Sequence, residues 1–209
     1  MAERPAPTKK EQILQAALTL FAENGYPKTH ILDIAESCSM GKSTFYDYFK
    51  SKEDLLLEIF ETKVIAPYEE FTEQLKAPEL SCKDKLLMFL RFESKMTHLM
   101  GHPKNYMDFL LSQNDLLKKE EVCRAVQRFT TLRFSMIFRI LEKGVQSGEF
   151  RDIDIFRTTA FIIGAHLFSC CLDFQFPPFP EEYAASLKSM TAKEREEEFM
   201  NLILHGLLK

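Results

Sequence analysis

Three features of the sequence predict an all-α fold. Helix-start signals of the Ser/Thr-x-x-acid type recur at Thr8–Glu11, Ser51–Asp54, Ser81–Asp84 and Thr191–Glu194; in such a pair a hydroxyl and a carboxylate satisfy amides left open at a helix start. Apolar residues then return at helical spacing, and no segment sustains the two-residue alternation of a strand. Glycine is sparse, seven in 209 residues, which suits helices better than a loop-rich β fold.

About nine helices follow in order. The first runs from Thr8 along the stripe Ile13, Leu14, Ala17, Leu18, Leu20 and Phe21 to Asn24-Gly25, where Gly accepts a left-handed cap; Pro27 blocks continuation. Thr29 is placed to cap a short second helix through Ile31, Ile34 and Ala35. A tight turn, CSMG or SMGK, leads into a third over residues 42–49. A fourth starts at Ser51 and carries Leu55, Leu56, Ile59, Phe60 and Ile65, and Pro67 should kink or end it. Ser81 starts the next, which runs toward Leu99. A short helix is expected around 104–114, a long one from about 118 to 147 closed by Gly144 and Gly148, and an apolar one from Asp152 or Asp154 to Phe174. PPFPEE (177–182) is a connector, and Thr191 opens the C-terminal amphipathic helix.

Composition excludes several classes. Hydrophobic residues make up 45% of the chain, too many for disorder. Net charge is −4, which by itself signals no nucleic acid. The charge is unevenly divided: residues 1–52 hold seven Lys/Arg against six Asp/Glu, and residues 53–209 hold 20 against 25. A mildly basic head of 1–52 on an acidic body of 53–209 is the expected domain organisation. The five cysteines are odd in number with no metal spacing, and no leader opens the chain, so reduced thiols in a cytoplasmic protein are expected. FIIGAHLFSCCL (161–172) is too short to span a bilayer. His98 and His102 are four apart, but Gly101 and Pro103 break their helix, so no metal site is expected. No Gly-rich phosphate loop or identifiable catalytic set points to an enzyme, and no cofactor is expected.

The first three helices have the spacing of a helix-turn-helix, whose last helix enters the DNA major groove. On a helical wheel of 42–49, Phe45 and Phe49 share one side and Ser43 and Asp47 the opposite one, with Thr44 and Tyr46 flanking. Hydroxyl and ammonium groups suit phosphates, and Lys52 sits at a helix start, whose dipole also favours a phosphate. The same pattern would serve as a short amphipathic helix in any helical protein.

Residues 9–60, with ILQAALTLFAENGYPKTHILDIAESCSMGKSTFYDYFKSKEDLL at their centre, resemble the amino-terminal region of the TetR family of bacterial transcriptional repressors. Ala17, Leu20, Phe21, Gly25, Tyr26, Thr29, Ile34, Ala35, Lys42, Phe45, Tyr46, Phe49, Lys52, Leu55 and Leu56 carry the likeness. It implies a homodimer that binds a palindromic double-stranded DNA operator and is released by a small-molecule effector. Carried over by position, Thr29, Lys42, Thr44, Tyr46, Tyr48 and Lys52 should contact DNA backbone, and Ser43 and Asp47 should face base edges. Two departures stand out. Ser39 and Gly41 exchange the roles of turn glycine and cap serine, so Ser39 faces strain if the turn needs positive φ. Asp47 places an acid where relatives carry neutral or aromatic residues, tolerable if it accepts a hydrogen bond from cytosine N4 or folds back on Lys50 or Ser43.

In the body, Gly164, Ala165 and Phe168, with Phe199, Leu202, Ile203 and Gly206, form a candidate dimer face; the alternative is packing within one monomer. Phe92, Met96, Tyr106, Phe129, Arg133, Met136, His166 and Cys170 are candidate ligand contacts, Met for its adaptability and Arg133 as an anchor for a ligand carboxylate. A plain apolar core, with Arg133 paired to a local Glu, is the competing reading. The helix from Ser51 is expected to act as the lever between head and body. The alternatives to a ligand-released regulator are a helix-turn-helix protein whose body binds another protein, and an all-helical enzyme or carrier.

Overall fold

The computed structural model describes residues 6–99, 119–172 and 191–208. These contain helix, turns and one isolated bridge, between Phe150 and Leu208. The expected helix at 104–114, His102 and the connector at 177–182 lie outside the described residues.

Helix α1 (Lys9–Asn24) starts on the expected box: the Thr8 hydroxyl accepts from Glu11 N at 3.2 Å, and the Glu11 carboxylate accepts from Thr8 N at 2.7 Å. It ends at Gly25, whose φ of 81° few other residues adopt. Helix α2 (Ile31–Ser37) starts one residue later than its sequence suggested. His30, not Thr29, is the cap position, and its N–H donates to Asp33 Oδ2 at 2.8 Å. Helix α3 (Lys42–Tyr46) is shorter than the expected 42–49, with Asp47 at its C-terminal cap.

Helix α4 (Lys52–Ile59) begins where the Ser51 hydroxyl accepts from Asp54 N at 3.0 Å. Pro67 does not end this run. A π-helical turn over Phe60–Ile65 precedes it, with Ala66 N donating to Glu61 O, five residues back. Helix α5 (Ala66–Gln74) continues beyond. Proline lacks an N–H and crowds the carbonyl of the preceding turn, and widening that turn is one way a helix accommodates it.

Helices α6 (Cys82–Leu99), α7 (Glu120–Gln146), α8 (Ile155–Leu172) and α9 (Ala192–Leu207) complete the described chain. Counting α4 through α5 as one run, eight helical runs stand among the described residues, close to the expected nine. The start of α6 is capped twice: Ser81 Oγ accepts from Asp84 N at 3.0 Å, as expected, and the Glu149 carboxylate accepts from the amides of Cys82 and Lys83, both at 2.8 Å. Helix α7 passes through Gly144, which is a packing position and not a stop. The Phe150 ring would lie 2.1 Å from a Cβ there. Gly148, at φ 75°, makes the turn after the helix.

Two compact units divide the chain, Met1–Ala66 with Met100–Gln127, and Pro67–Leu99 with Arg128–Lys209. The first packs α1 to α4 around Ile13, Leu14, Ala17, Ile34, Ala35, Phe45, Phe49, Leu55 and Ile59. Beside it Tyr26, Leu56 and Val122 cluster, and ion pairs Lys10–Glu58 and Lys119–Glu53, each 2.7 Å, tie α1 and the approach to α7 onto α4. The second buries Leu86, Phe89, Leu90, Ile137, Leu141, Phe150 and Ile162.

Candidate nucleic-acid interface and the body's polar core

The α2–α3 connection decides how α3 is presented. The chain reverses within three residues: Ser39 N donates to Glu36 O at 2.9 Å and Met40 N to Ala35 O at 3.0 Å. This places Ser39 at φ 54°, the strained conformation expected where a serine occupies the turn position. Gly41 then caps α3 with no side chain to offer. The Cys38 thiol lies 3.5 Å from Gln12 O, against α1, and burial raises its pKa.

Phe45 and Phe49 are buried, with ring centroids 5.8 Å apart, and hold α3 from beneath. Lys42, Ser43, Tyr46, Asp47 and Tyr48 are exposed, and Thr44 is half-buried. Tyr46 keeps 46% of its surface in solvent, and its ring lies 6.0 Å from Lys42 Nζ. Among the described residues the Asp47 carboxylate has no hydrogen-bond or ion-pair partner, so it is not folded back on Lys50 or Ser43.

Thr29 and Lys52 are turned inward, against the expectation that both would reach a phosphate. Thr29 is 1% exposed, its hydroxyl between the carbonyls of Gly25 (2.9 Å) and Leu20 (3.1 Å). Lys52 Nζ donates to Tyr26 O at 2.8 Å and Thr29 O at 3.0 Å, and sits 4.2 Å from the centre of the Tyr26 ring. Desolvation lowers the Lys52 pKa, opposed by Glu53. The pair anchors the turn after α1 to the start of α4.

In the second unit, the candidate ligand residues gather around a carboxylate that sequence reasoning missed. Glu93, 2% exposed, accepts from the Tyr68 hydroxyl at 2.5 Å and from Arg133 Nε at 2.6 Å, and a second Arg133 nitrogen also bonds it. His166 Nδ1 lies 3.7 Å from the same carboxylate, and its Nε2 is 3.2 Å from Ser94 Oγ. The anion that a buried Arg133 needs is thus Glu93; the arginine is not a bare anchor for a ligand carboxylate. Phe92 and Phe129 meet the Tyr68 ring edge-on at 4.8 and 5.1 Å, and Met96 and Met136 are buried. Tyr106 lies outside the described residues, as do the side chains of Phe168 and Cys170. The signal for Glu93 was available. It occupies the apolar stripe Leu86, Phe89, Leu90, Glu93, Met96, where an acid needs a partner.

On α9, Met200, Leu204 and Leu207 point into the unit, Leu202 is 72% exposed, and Phe199 and Ile203 are half-buried. On α8, Phe161, Gly164 and Ala165 are exposed, and a Cβ at Gly164 or Gly206 would meet nothing within 4 Å. The small and apolar residues singled out as a dimer face therefore include a solvent-facing set.

A helix held from below by two buried phenylalanines, reached through a tight turn and presenting hydroxyls and a lysine outward, defines a helix-turn-helix DNA-binding protein. Residues 13–59 match the model for bacterial regulatory proteins of the tetR family. The chain is 29% identical over 160 residues to the fatty acid metabolism regulator protein of Bacillus subtilis, covering 75% of this chain and 78% of that one. It is 28% identical over 162 residues to an HTH-type transcriptional repressor of Mycolicibacterium smegmatis, covering 74% of each. Residues 13–59 thus form a tetR-type DNA-binding region, and over about three quarters of its length the chain resembles transcriptional regulators. Its fold is that of a Bacillus subtilis regulator, FadR, solved with stearoyl-CoA (TM-score 0.65, 24% identity, 93% of this chain and 97% of that one). A ketosteroid transcriptional regulator of Mycobacterium tuberculosis shares it too (TM-score 0.73, 19% identity, 98% and 97%). No helix among the described residues is long and apolar enough to cross a membrane.

Proposed function

We propose that this protein is a cytoplasmic repressor that binds a palindromic operator as a homodimer and leaves it when a small, largely apolar ligand enters the body. Residues 1–52 form the DNA-binding domain and 53–209 the ligand-binding and dimerisation domain. The observation that carries the DNA half is the exposed face of α3, with Phe45 and Phe49 buried behind it. Lys42, Thr44, Tyr46 and Tyr48 contact backbone, Ser43 and Asp47 face the bases, and Thr29 and Lys52 position the turn.

Leu202, Gly206, Phe161, Gly164 and Ala165 supply the core of the dimer face, where small residues allow close helix approach. A two-fold pair of heads matches a two-fold operator. The ligand reading is supported by the aromatic and methionine lining of Phe92, Phe129, Met96 and Met136 around the Glu93 network. It is supported also by relatives named for fatty acid and ketosteroid regulation, one solved with stearoyl-CoA. A ligand of that kind would place its chain among the rings and a carbonyl or hydroxyl near Tyr68, Ser94 or His166.

The test takes purified protein through three measurements. Sedimentation should give twice the 24.3 kDa chain mass. Selection from a random duplex library should enrich an inverted repeat. Long-chain acyl-CoAs or steroids, added to the complex, should release the DNA. A coupling of about 1–3 kcal/mol corresponds to a 5- to 150-fold loss of affinity. Enrichment of DNA with no release by any apolar ligand would favour a body that binds another protein.

A further inference from the structure

We propose that Asp47 is a specificity residue that reads a cytosine in each operator half-site. The proposal rests on the DNA-binding reading above and deepens it. Five acids in this region have local duties, while Glu23 and Glu36, on α1 and α2, are exposed and unpartnered among the described residues. Glu11 closes the α1 cap, Asp33 accepts from His30 N, Asp54 accepts from Lys50 N at 3.0 Å, and Glu53 and Glu58 pair with Lys119 and Lys10. Asp47 has none of these. Its carboxylate is exposed and, among the described residues, unpartnered, although Lys42 and Lys50 are nearby on the same short stretch.

Its position is doubly unfavourable without DNA chemistry to offset it. It caps the C-terminal end of α3, where exposed carbonyls make a negative charge unwelcome. It also stands between Tyr46 and Tyr48, on a face where a phosphate would repel it. A carboxylate only accepts hydrogen bonds, and the base edge that best answers it in the major groove is the N4 amino group of cytosine. Guanine and thymine present acceptors there. Adenine's amino group lies between two acceptors, its own N7 and thymine O4, whereas cytosine N4 has an acceptor, guanine O6, on one side only. The backbone fixes the direction: Asp47 N donates to Ser43 O at 3.2 Å, so Asp47 lies one turn beyond Ser43 on the same side of α3.

The experiment selects duplex sites from a random library at one fixed salt concentration, using full-length wild type, Asp47→Ala and Asp47→Asn. Wild type should enrich sites with cytosine at one position per half-site, and replacing that C·G pair should cost it about 5- to 150-fold in affinity. Asp47→Ala should lose the preference at that position alone. Asp47→Asn should move it toward adenine, whose N6 and N7 an amide matches. Identical base preferences for all three proteins would overturn the proposal. So would a uniform gain in affinity for every sequence on Asp47→Ala, the mark of a residue that only repels phosphate. Failure of wild type to enrich any sequence would remove the DNA-binding reading together with this one, whereas the first two outcomes leave that reading standing.

Discussion

On α3, Lys42, Ser43, Tyr46 and Asp47 stand in solvent with two phenylalanines beneath them; in the second unit, Glu93, Arg133, His166 and Ser94 meet inside the core. Both regions concentrate polar groups, and the physics differs. Exposed groups keep their water and can exchange it for a phosphate or a base. Buried ones have given up water already and must satisfy one another. A surface of the first kind tolerates substitution in stability and is sensitive in binding. A core of the second kind should behave the other way round.

Breaking the buried pair should produce the largest effect. Arg133→Ala takes the arginine's charge from buried Glu93, leaving it the Tyr68 hydroxyl and His166, and should cost about 3 kcal/mol, read as a lower urea midpoint. Replacing Glu93 and Arg133 together by Met and Leu should recover most of that loss, because two apolar groups of similar volume carry no desolvation penalty. A double substitution as damaging as the single one would mean that the network's shape matters more than its charge. Gly144→Ala comes next. Its methyl would collide with the Phe150 ring, and overpacking of this kind costs about 1–3 kcal/mol; Phe150→Leu in the same chain should relieve part of it.

Substitutions in the head should sharpen the contrast. Lys42→Ala should change the urea midpoint little, while the slope of log affinity against log salt falls by about 2, one phosphate contact in each half-site of the dimer. An unchanged slope would place Lys42 away from phosphate. Ser39→Gly should stabilise the protein by about 1 kcal/mol, by relieving the φ of 54°; thermal denaturation measures it.

The smallest effect is a pH effect. The Glu53 pKa is lowered, first by its hydrogen bond from Lys119. A carboxyl with a depressed folded pKa contributes stability that is present above its unfolded value and lost as pH falls through the folded one. Wild type and Glu53→Gln should therefore differ slightly at neutral pH and converge in acid, when urea midpoints are compared across pH.

The two regions were not equally legible in the sequence. Caps at Thr8, Ser51, Ser81 and Thr191 depend on residues three apart and could be read directly, as could the division of Phe45 and Phe49 from Ser43 and Asp47. The inward turn of Lys52 could not, because its partners are the carbonyls of Tyr26 and Thr29, which become available only once the chain has folded past Pro27. Tyr68, Glu93, Arg133 and His166 come from four different helices, and no local pattern joins them. Only the acid in the stripe of α6 marked that something had to meet it. Pro67 misled for a related reason. Its cost to an α-helix is local and readable, but nothing local says that a π-helical turn over Phe60–Ile65 will absorb it and let the run continue.

That wider turn has a consequence for phase. A helix carries a rotational angle along its axis as well as a direction, about 100° per residue. Along the run from α4 to α5 the buried positions include Leu55, Ile59, Val64, Tyr68 and Phe71, with a step of five where the backbone is π-helical. The wider turn absorbs one extra residue and keeps the buried stripe on its face. Removing one residue from Phe60–Ile65 would let the run close up as an ordinary α-helix, the step of five becoming a step of four, and Leu55, Ile59, Val64 and Tyr68 would stay on one face. The apolar identity of that buried stripe is therefore under tighter constraint than the chain length of this one turn.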